Sequence, residues 1–375
     1  MRIAIILEHF ESGAGGVEDV AWRVVHGLAE AGDEVHVIAR VAAPTSAAGI
    51  HLVRVPRAWQ PLRVALFSHA AARAASGVEL DVVHSMTRTL HQDIYFAGGG
   101  SHADYMLCQY SSLGRKLRRV TPRHALQLAI ERRVFADPTQ IVQCNSEMVA
   151  RQIHARYGVP YQRIVVIHNG VELERFQRER NARAAARLRD ELKAGQTLIW
   201  VFAGSGFPRK GLDTALRALA RGGPPDAQLW VLGRDNVAPW RQLARELGVD
   251  GRVRFLGYRR DPEVVFAAAD ALILPTQYDS FATVCLEAAA SEVPVVTSGS
   301  NGAGEFIKSA GRIVADPRDV DGFAAALDEL ADATLRRSLG QEGRRLAEAC
   351  GWDAHVSALR ALYSRVVRDR QQAIA

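Results

Sequence analysis

Two cationic side chains on a glycine-rich segment are the residues best suited to chemistry on a phosphate. Arg209 and Lys210 lie in the segment Gly204–Gly211, directly after the apolar run Leu198–Ala203. A phosphate leaving group gains negative charge as its glycosidic bond breaks, and two fixed cations stabilise that charge more in the transition state than in the ground state. Glycine allows the backbone to approach a ligand closely. We predict that Gly204, Arg209 and Lys210 bind a diphosphate; the alternative is a pair of surface cations.

Two acids eight positions apart form the second candidate group. A helix is predicted to begin near Thr283, and Glu287 shares a face of that helix with Thr283. Backbone N–H groups at the helix start would be free to hold phosphate oxygens, and they belong to Ala282, Thr283 and Val284. Glu287 suits a ribose diol, whereas Asp279 stays in the loop and can accept hydrogen bonds from sugar hydroxyls. The alternative is a loop aspartate and a surface glutamate.

Together these groups describe a pocket for a pyrophosphate with polar groups at both ends, as in a nucleotide-sugar. The first half of the chain adds a glycine-rich turn, in which Gly15 and Gly16 open the first predicted helix. Glu18 stands where the last glycine of the dinucleotide pattern G-x-G-x-x-G belongs, which argues against a nicotinamide-dependent enzyme. The alternative for this turn is a tight strand–helix connection.

A polar loop follows the predicted strand Asp93–Ala97. His102 is the candidate for a group that faces the reacting sugar, and Asp104 is its substitute. A lone loop histidine is more often structural or exposed, so that alternative stays open. Asp319 and Asp321 match the metal pattern D-x-D, but an N-cap and a first-turn acid explain them better. We therefore predict no metal site and no cofactor.

Composition indicates a soluble chain of 375 residues with a net charge of +6 and four cysteines that lack metal-like spacing. These features fit the reducing cytosol. The first apolar run is too short for a signal peptide, and no later run has the length of a membrane span. The segment Arg115–Arg133 concentrates positive charge, in Arg115, Lys116, Arg118, Arg119, Arg123, Arg132 and Arg133. Nucleic acid and an anionic membrane are candidate partners, and a solvated helix face is the plain alternative.

The elements that must position these residues are alternating strands and helices, which predict parallel sheets covered by helices. Strands are predicted at Arg2–Leu7, Glu34–Ala39, Ile50–Val55, Asp81–His84, Asp93–Ala97, Thr139–Cys144, Arg163–His168, Thr197–Ala203, Ala227–Gly233, Arg252–Leu256, Ala271–Leu274 and Pro294–Thr297. The clearest helical pattern is Val17–Ala31, ending at Gly32.

Three parts of the chain are predicted from this pattern. Residues 1–170 form an N-terminal parallel-sheet domain, residues 171–352 form a second such domain that carries the candidate diphosphate-binding residues, and residues 353–375 form a terminal helix. The charged, strandless segment Glu172–Gly195 is predicted to connect the domains. The apolar stripe of the helix Asp353–Val367 must pack on another surface.

Over nearly its whole length the chain resembles the retaining glycosyltransferases of family 4, which adopt the GT-B fold. The resemblance rests on the chain start, the Asn-Gly-Val crossover, the Arg/Lys loop and the E-x7-E segment, at Met1–Gly32, Val165–Phe176, Val201–Leu219 and Asp270–Thr297. Within that family it looks most like the lipopolysaccharide core glucosyltransferases, through the segments Gly204–Asp213 and Asp93–Ala97.

The resemblance implies two Rossmann-like domains that face a cleft, with a C-terminal helix that crosses back to the N-terminal, acceptor-side domain. It also implies a metal-independent transfer with retention. Arg209 and Lys210 match the diphosphate-binding pair, Glu287 matches the ribose-binding acid, and Gly15 and Gly16 match the glycine loop. Asp279 departs from the family pattern, because it is one methylene shorter than the usual glutamate.

The expected activity is transfer of a hexose from a UDP-sugar to a lipopolysaccharide inner-core saccharide. The expected hexose is glucose. The expected place is the cytoplasm, with peripheral attachment to the inner membrane through Arg115–Arg133 and no binding of nucleic acid. Other acceptors, namely another glycolipid, capsule or a soluble glycoside, remain open. A sugar-nucleotide epimerase and a nucleotide-sugar-binding protein without turnover are further alternatives.

Overall fold

The computed structural model describes residues 1–13, 15–56, 59–110, 114, 117–118 and 120–374. The chain divides into two compact units. The first unit contains Met1–Gly170 and Trp352–Ala375, and the second contains Val171–Gly351. The two points where the chain passes between units are close together, since Val171 pairs with Gly351 in an isolated parallel bridge.

The first unit is built on a parallel sheet, which has seven strands within the described residues. The strands are β1 (Arg2–Phe10), β2 (Glu34–Ala42), β3 (Gly49–Leu52), β4 (Val82–Ser85), β5 (Ile94–Phe96), β6 (Ile141–Cys144) and β7 (Ile164–Val166). Their order in the sheet is β3-β2-β1-β4-β5-β6-β7. All seven strands predicted for this half are confirmed, with ends that differ from the prediction by at most three residues.

Helices of the first unit follow the strands in turn. They are α1 (Gly16–Glu30), α2 (Gln60–Ser76), α3 (His102–Gln109), α4 (Pro122–Ala136) and α5 (Glu147–Tyr157), with a 3₁₀ turn at Tyr161–Arg163. Helix α1 buries Val20, Val24 and Leu28 on one face. It ends as predicted at Gly32, whose φ of 84° is left-handed. That conformation lets Asp33 N donate to Leu28 O and so satisfies an otherwise unpaired carbonyl.

The second unit holds a parallel sheet that has six strands within the described residues. They are β8 (Ile199–Ala203), β9 (Gln228–Leu232), β10 (Val253–Gly257), β11 (Ala271–Leu274), β12 (Val295–Ser298) and β13 (Gly311–Val314), in the order β10-β9-β8-β11-β12-β13. Five were predicted and are confirmed. The sequence prediction missed β13, because this short edge strand is only partly buried and lacks an apolar run.

The helices of the second unit cover that sheet. They are α6 (Arg178–Glu191), α7 (Phe207–Lys210), α8 (Leu212–Arg221), α9 (Ala238–Glu246), α10 (Pro262–Ala268), α11 (Thr283–Ala290), α12 (Ala303–Phe306), α13 (Val320–Glu329) and α14 (Ala333–Glu348), with a 3₁₀ turn at Asp250–Arg252. The interpretation of Glu172–Gly195 as a connection was wrong. The segment forms α6, which buries Ala185 and Leu188 in the core of the second unit.

The last helix, α15 (Trp352–Ile374), belongs to the first unit although it follows the second in sequence. Its stripe of Val356, Leu359, Leu362 and Tyr363 is buried in the core formed around β1 and α1. The Tyr363 hydroxyl lies 2.8 Å from Nδ1 of the buried His84 in β4. The predicted return of the terminal helix to the first domain is therefore confirmed.

Both sheets reverse their strand order at one point, between β1 and β4 in the first unit and between β8 and β11 in the second. In open parallel sheets, ligands bind beyond the carboxyl ends of the strands at such a point. The loop Gly204–Gly211 follows β8, and the loop that carries Asp279 follows β11. Topology therefore brings the two candidate groups of the second unit to one place. Among the described helices, none has both the length and the apolarity needed to cross a membrane.

Candidate functional site

The glycine-rich loop after β8 is a single helical turn bounded by two left-handed glycines. Gly206 precedes α7 with a φ of 81°, and Gly211 follows it with a φ of 83°. A Cβ atom at Gly211 would lie 2.0 Å from the carbonyl oxygen of Pro275, at the exit of β11. Gly211 therefore meets two demands that only glycine satisfies: the left-handed conformation and the close contact with the next strand's loop.

The turn is held on both sides by hydrogen bonds. Gln277 N donates to the carbonyl oxygen of Arg209 at 2.8 Å, which fastens α7 to the loop after β11. Asp235, after β9, accepts from Gly206 N at 2.8 Å and from Phe207 N at 2.7 Å. Its carboxylate thus occupies two backbone donors at the start of α7. Sequence reasoning missed Asp235, whose only signal is its place just after a strand end.

The two cations converge on one carboxylate oxygen. Lys210 Nζ lies 2.6 Å from Oδ2 of Asp279, and Arg209 Nη1 lies 3.0 Å from the same atom. Arg209 Nη1 also donates to Tyr278 O at 2.8 Å. The Lys210 side chain is only 10% exposed, and that of Arg209 is 32% exposed. The structure thus brings Arg209, Lys210 and Asp279 together as one cluster.

The charges in this cluster determine the protonation state of Asp279. Burial alone would raise the pKa of Asp279, but the attraction of Lys210 and Arg209 outweighs it and holds that pKa below its usual value. The carboxyl group is therefore ionised at neutral pH. One carboxylate faces two cations, so the cluster keeps an excess of positive charge at the carboxyl end of β8.

The start of α11 lies beside this cluster, and the predicted helix start at Thr283 is confirmed. Asn301 organises it: its Oδ1 accepts from Ala282 N at 3.2 Å and from Ala303 N at 3.1 Å. The Ala282 N–H thus already has a partner within the chain. Sequence reasoning missed Asn301 because it lies nineteen residues from Ala282, outside any local motif.

Glu287 lies one turn inside α11 and is half-buried. Cys285 lies two residues before Glu287 in the same helix and is fully buried. Burial raises the pKa of the Cys285 thiol to about 12, so this cysteine is not a thiolate nucleophile at neutral pH. The remaining ionisable side chain of α11 is that of Glu287.

The first-unit candidate His102 opens α3 and is 7% exposed. Its Nε2 lies 2.8 Å from Nδ1 of His124, and its backbone N donates to Oε1 of Glu131 at 2.5 Å. Burial, followed by the positive charge of Arg88, lowers the pKa of His102 to about 3. The imidazole is therefore neutral at pH 7, where it can donate or accept a hydrogen bond without a positive charge.

The substitute candidate, Asp104, is committed to an ion pair. Its carboxylate accepts from Nε of Arg156 at 2.9 Å and pairs with the second guanidinium nitrogen as well. Its backbone N–H is capped by the Ser101 hydroxyl at 3.2 Å. Asp104 thus has a structural partner on α5, whereas His102 is held by hydrogen bonds to α4.

Gly15 is the N-cap of α1, and Gly16 is the first residue of that helix. A Cβ atom at Gly15 would lie 2.5 Å from Oε2 of Glu18, whereas one at Gly16 would meet nothing within 4 Å. Gly15, Gly16 and His102 all belong to the first unit, and Arg209, Lys210, Asp279 and Glu287 belong to the second.

The D-x-D segment is structural, as predicted. Asp319 is the N-cap of α13 and accepts from Gly322 N at 2.9 Å, and Asp321 pairs with Arg221. Within the described residues, no group of three or more His, Cys, Asp or Glu side chains has the arrangement of a metal site.

The basic segment is only partly described. Arg115, Lys116 and Arg119 lie outside the described residues. Arg123, Arg132 and Arg133 are exposed on α4, opposite its buried face of Leu128 and Phe135. Arg118 lies over the ring of Tyr110, 4.3 Å from its centroid. Leu117 and Val120 are 64% and 78% exposed, so apolar and cationic side chains occur together here.

Comparison with known families covers both halves of the chain. The family described as Glycosyltransferase Family 4 matches residues 14–175, and the family described as Glycosyl transferases group 1 matches residues 186–346. The chain is 29% identical over 268 residues to the lipopolysaccharide glucosyltransferase WaaG of Escherichia coli (strain K12), a match that covers 68% of this chain and 67% of that protein.

A second relative is named for a different acceptor. The D-inositol 3-phosphate glycosyltransferase of Mycobacterium marinum (strain ATCC BAA-535 / M) is 32% identical over 270 residues, covering 66% of this chain. The chain spans about half, 54%, of that protein's length.

Solved structures agree on the fold. A crystal structure of WaaG superposes with a TM-score of 0.81 at 23% identity, covering 96% of this chain and 98% of that one. Anabaena Alr3699/HepE, solved with UDP and glucose, superposes with a TM-score of 0.73 at 17% identity, covering 97% and 98%. With its paired Rossmann-like sheets and with family matches in both halves, this chain belongs to the family 4 glycosyltransferases and has their GT-B fold.

Proposed function

We propose that this protein transfers a hexose, in the first place glucose, from a UDP-sugar to an inner-core saccharide of lipopolysaccharide, with retention of configuration. The observation that carries the proposal is the convergence of Arg209 and Lys210 at the topological switch point of the second unit. Two cations at that place suit a diphosphate leaving group, whose negative charge grows as the glycosidic bond breaks.

The proposed donor site assigns a role to each second-unit candidate. Arg209 and Lys210 stabilise the departing diphosphate, with Gly204 allowing the backbone close to it. Backbone N–H groups at the start of α11, those of Ala282, Thr283 and Val284, hold phosphate oxygens, and Ala282 N also donates to Asn301 Oδ1 at 3.2 Å. Glu287 accepts hydrogen bonds from the ribose diol. Asp279 is the acid nearest the cations and is proposed to face the donor sugar.

The first unit is proposed to serve the acceptor and the reacting sugar. Gly15 and Gly16 open α1 where its backbone donors meet a bound anion. His102 is the proposed polar group toward the sugar, and its neutral imidazole suits a hydrogen bond to a hydroxyl. Asp104 is the lesser candidate because Arg156 already holds its carboxylate. The proposed reaction uses no metal or cofactor.

Product analysis tests this proposal directly. The purified chain is incubated with UDP-glucose and a lipopolysaccharide truncated at the inner core, and the product is characterised by mass and anomeric configuration. We expect addition of one hexose and release of UDP. UDP release with no change in the saccharide, or an inverted linkage, would contradict the proposed reaction.

A second acceptor class has one specific observation in its favour, the 32% identity to a D-inositol 3-phosphate glycosyltransferase. A soluble phosphorylated polyol would then replace the saccharide acceptor. The same assay with D-inositol 3-phosphate separates the two, since only one acceptor should accelerate release of UDP.

We also propose that the segment Arg115–Arg133 holds the enzyme on anionic lipid at the inner face of the membrane. Exposed Arg132 and Arg133 on α4, together with exposed Leu117 and Val120 in the same basic segment, support this because cations attract headgroups and apolar side chains enter the interface.

Liposome flotation at low and high salt tests the membrane surface. The variant Arg132→Glu/Arg133→Glu should lose binding to anionic vesicles, whereas the control Arg183→Glu/Arg187→Glu, on exposed positions of α6, should keep it. Binding that ignores salt and both charge reversals would remove this part of the proposal.

A further inference from the structure

Asp279 occupies the point on which the two cations of the proposed donor site converge. Lys210 Nζ and Arg209 Nη1 both approach its Oδ2, at 2.6 Å and 3.0 Å. A diphosphate bound by these cations must therefore compete with a carboxylate that already belongs to the chain.

The partners differ in how freely they can move. Asp279 is fixed by its backbone, since its N donates to Ser300 O at 3.0 Å and its O accepts from Gly302 N at 2.9 Å. Its other carboxylate oxygen lies 3.3 Å from Phe281 N. Arg209 and Lys210 have long side chains with several rotatable bonds. An exchange of partners is therefore made by the cations, while the acid stays in place.

The exchange has an electrostatic basis. Lys210 is nearly buried, and a buried ammonium is costly unless an opposite charge lies close to it. Asp279 supplies that charge, since its Oδ2 lies 2.6 Å from Lys210 Nζ. A diphosphate carries more negative charge than one carboxylate and can replace it at both cations.

We propose that Asp279 is an internal counter-ion that positions Arg209 and Lys210 before the donor binds and gives up both of them to the donor's diphosphate. This inference rests on the proposed function and adds a positioning role for this acid.

If the Asp279 carboxylate competes with the diphosphate, removing its charge should raise the affinity of the protein for anionic ligands. Asp279→Asn keeps the size of the side chain and leaves the two cations unneutralised, so anions should bind more tightly. We expect the Kd for UDP and for inorganic pyrophosphate to fall by about tenfold, which is a typical effect for one close charge in a partly buried site.

Isothermal titration of the full chain at low salt measures this effect. UDP and pyrophosphate are titrated into the unmodified protein, Asp279→Asn, and the control Asp213→Asn, which removes an exposed acid paired with Arg217 on α8. Tightening in Asp279→Asn alone supports the proposal. Unchanged or weaker binding of both ligands in Asp279→Asn overturns it, because the acid then does not compete with the diphosphate.

If Asp279→Asn does not fold, a second pair of variants provides the same comparison. Lys210→Gln/Asp279→Asn replaces the ion pair by two amides, and Lys210→Gln alone is its reference. Since Arg209 also pairs with Asp279, the double variant should bind pyrophosphate more tightly than Lys210→Gln; equal affinity overturns the proposal. If the unmodified protein binds neither UDP nor pyrophosphate, the proposed function itself fails, whereas binding without tightening removes only the counter-ion role.

Discussion

At the scale of residues, the site depends on an imbalance of charge. Arg209 and Lys210 share one buried carboxylate, Asp279, which leaves net positive charge at the end of β8. The pKa of Asp279 lies below its usual value because the cations outweigh the effect of burial. In the proposed reaction, the two cations stabilise the diphosphate as it becomes negative, and this is the main way in which the proposed site would lower the barrier.

Replacing Lys210 by alanine should therefore slow the reaction. We expect a fall in kcat of roughly a hundredfold or more, as is usual when one transition-state donor is removed. Steady-state kinetics with UDP-glucose and the acceptor give the value, and circular dichroism checks the fold. The control Lys308→Ala, at an exposed position, should retain normal turnover. Near-normal turnover in folded Lys210→Ala protein would count against the assignment.

The sequence predicted the members of this cluster that lie in local motifs. Arg209, Lys210 and Asp279 were recognised from their spacing after strands. Asp235 and Asn301 were missed, because each holds a loop that is many residues distant in the chain. The contact between Asp279 and the cations was also invisible, since it depends on how two loops meet across neighbouring strands.

At the scale of elements, the short helix α7 determines where the two cationic side chains lie. Its four residues place Arg209 and Lys210 consecutively, and Gly206 and Gly211 end the turn on each side. The left-handed Gly211 lies against the Pro275 carbonyl, which sets the distance between the loops after β8 and β11. The position of the cations thus depends on a glycine that has no functional group.

Gly211→Ala should damage both stability and binding. A non-glycine residue in the left-handed region costs about 1–3 kcal/mol, and the 2.0 Å approach to Pro275 O forces a further backbone shift. Urea unfolding and UDP titration measure the two effects. The control Gly251→Ala, where a Cβ meets nothing within 4 Å, should change stability by less than about 0.5 kcal/mol. Equal stabilities of the two variants would refute the role of Gly211.

Most elements were predictable because their apolar runs are long and their ends carry glycine or proline. Strand β13 was missed since only the first of its four residues, Gly311, is buried at the sheet edge. Helix α6 was mistaken for a connection because its surface is rich in arginine and only Ala185 and Leu188 are buried. Charge on an exposed helix face hides its helical pattern from a search for apolar periodicity.

At the scale of the whole molecule, the two units differ in how they should respond to acid. All 12 histidines of the sequence lie in residues 1–170 or 352–375, which form the first unit. His84 is fully buried beside Tyr363, and burial lowers its pKa to about 3. The pKa of His102 is lowered to about 3 as well.

Acidification should therefore destabilise the first unit. A histidine with a folded-state pKa near 3 and an unfolded value of about 6.5 binds its proton only after unfolding across this range. Stability is thus full above pH 6.5 and falls as pH decreases toward 3, by about 2 kcal/mol between pH 7 and pH 5 for His84 alone. Hydrogen exchange at pH 7 and pH 5, with rates corrected for pH, measures this loss. Greater loss of protection in the second unit would contradict the expectation.

We infer that cations after β8 and a carboxylate in α11 form a nucleoside diphosphate site, and a crystal structure of the chain with UDP would locate that site. We expect phosphate oxygens within hydrogen-bond distance of Arg209 and Lys210, and the ribose diol on Glu287. UDP bound away from these three side chains, with Lys210 and Arg209 still directed at Asp279, would contradict it.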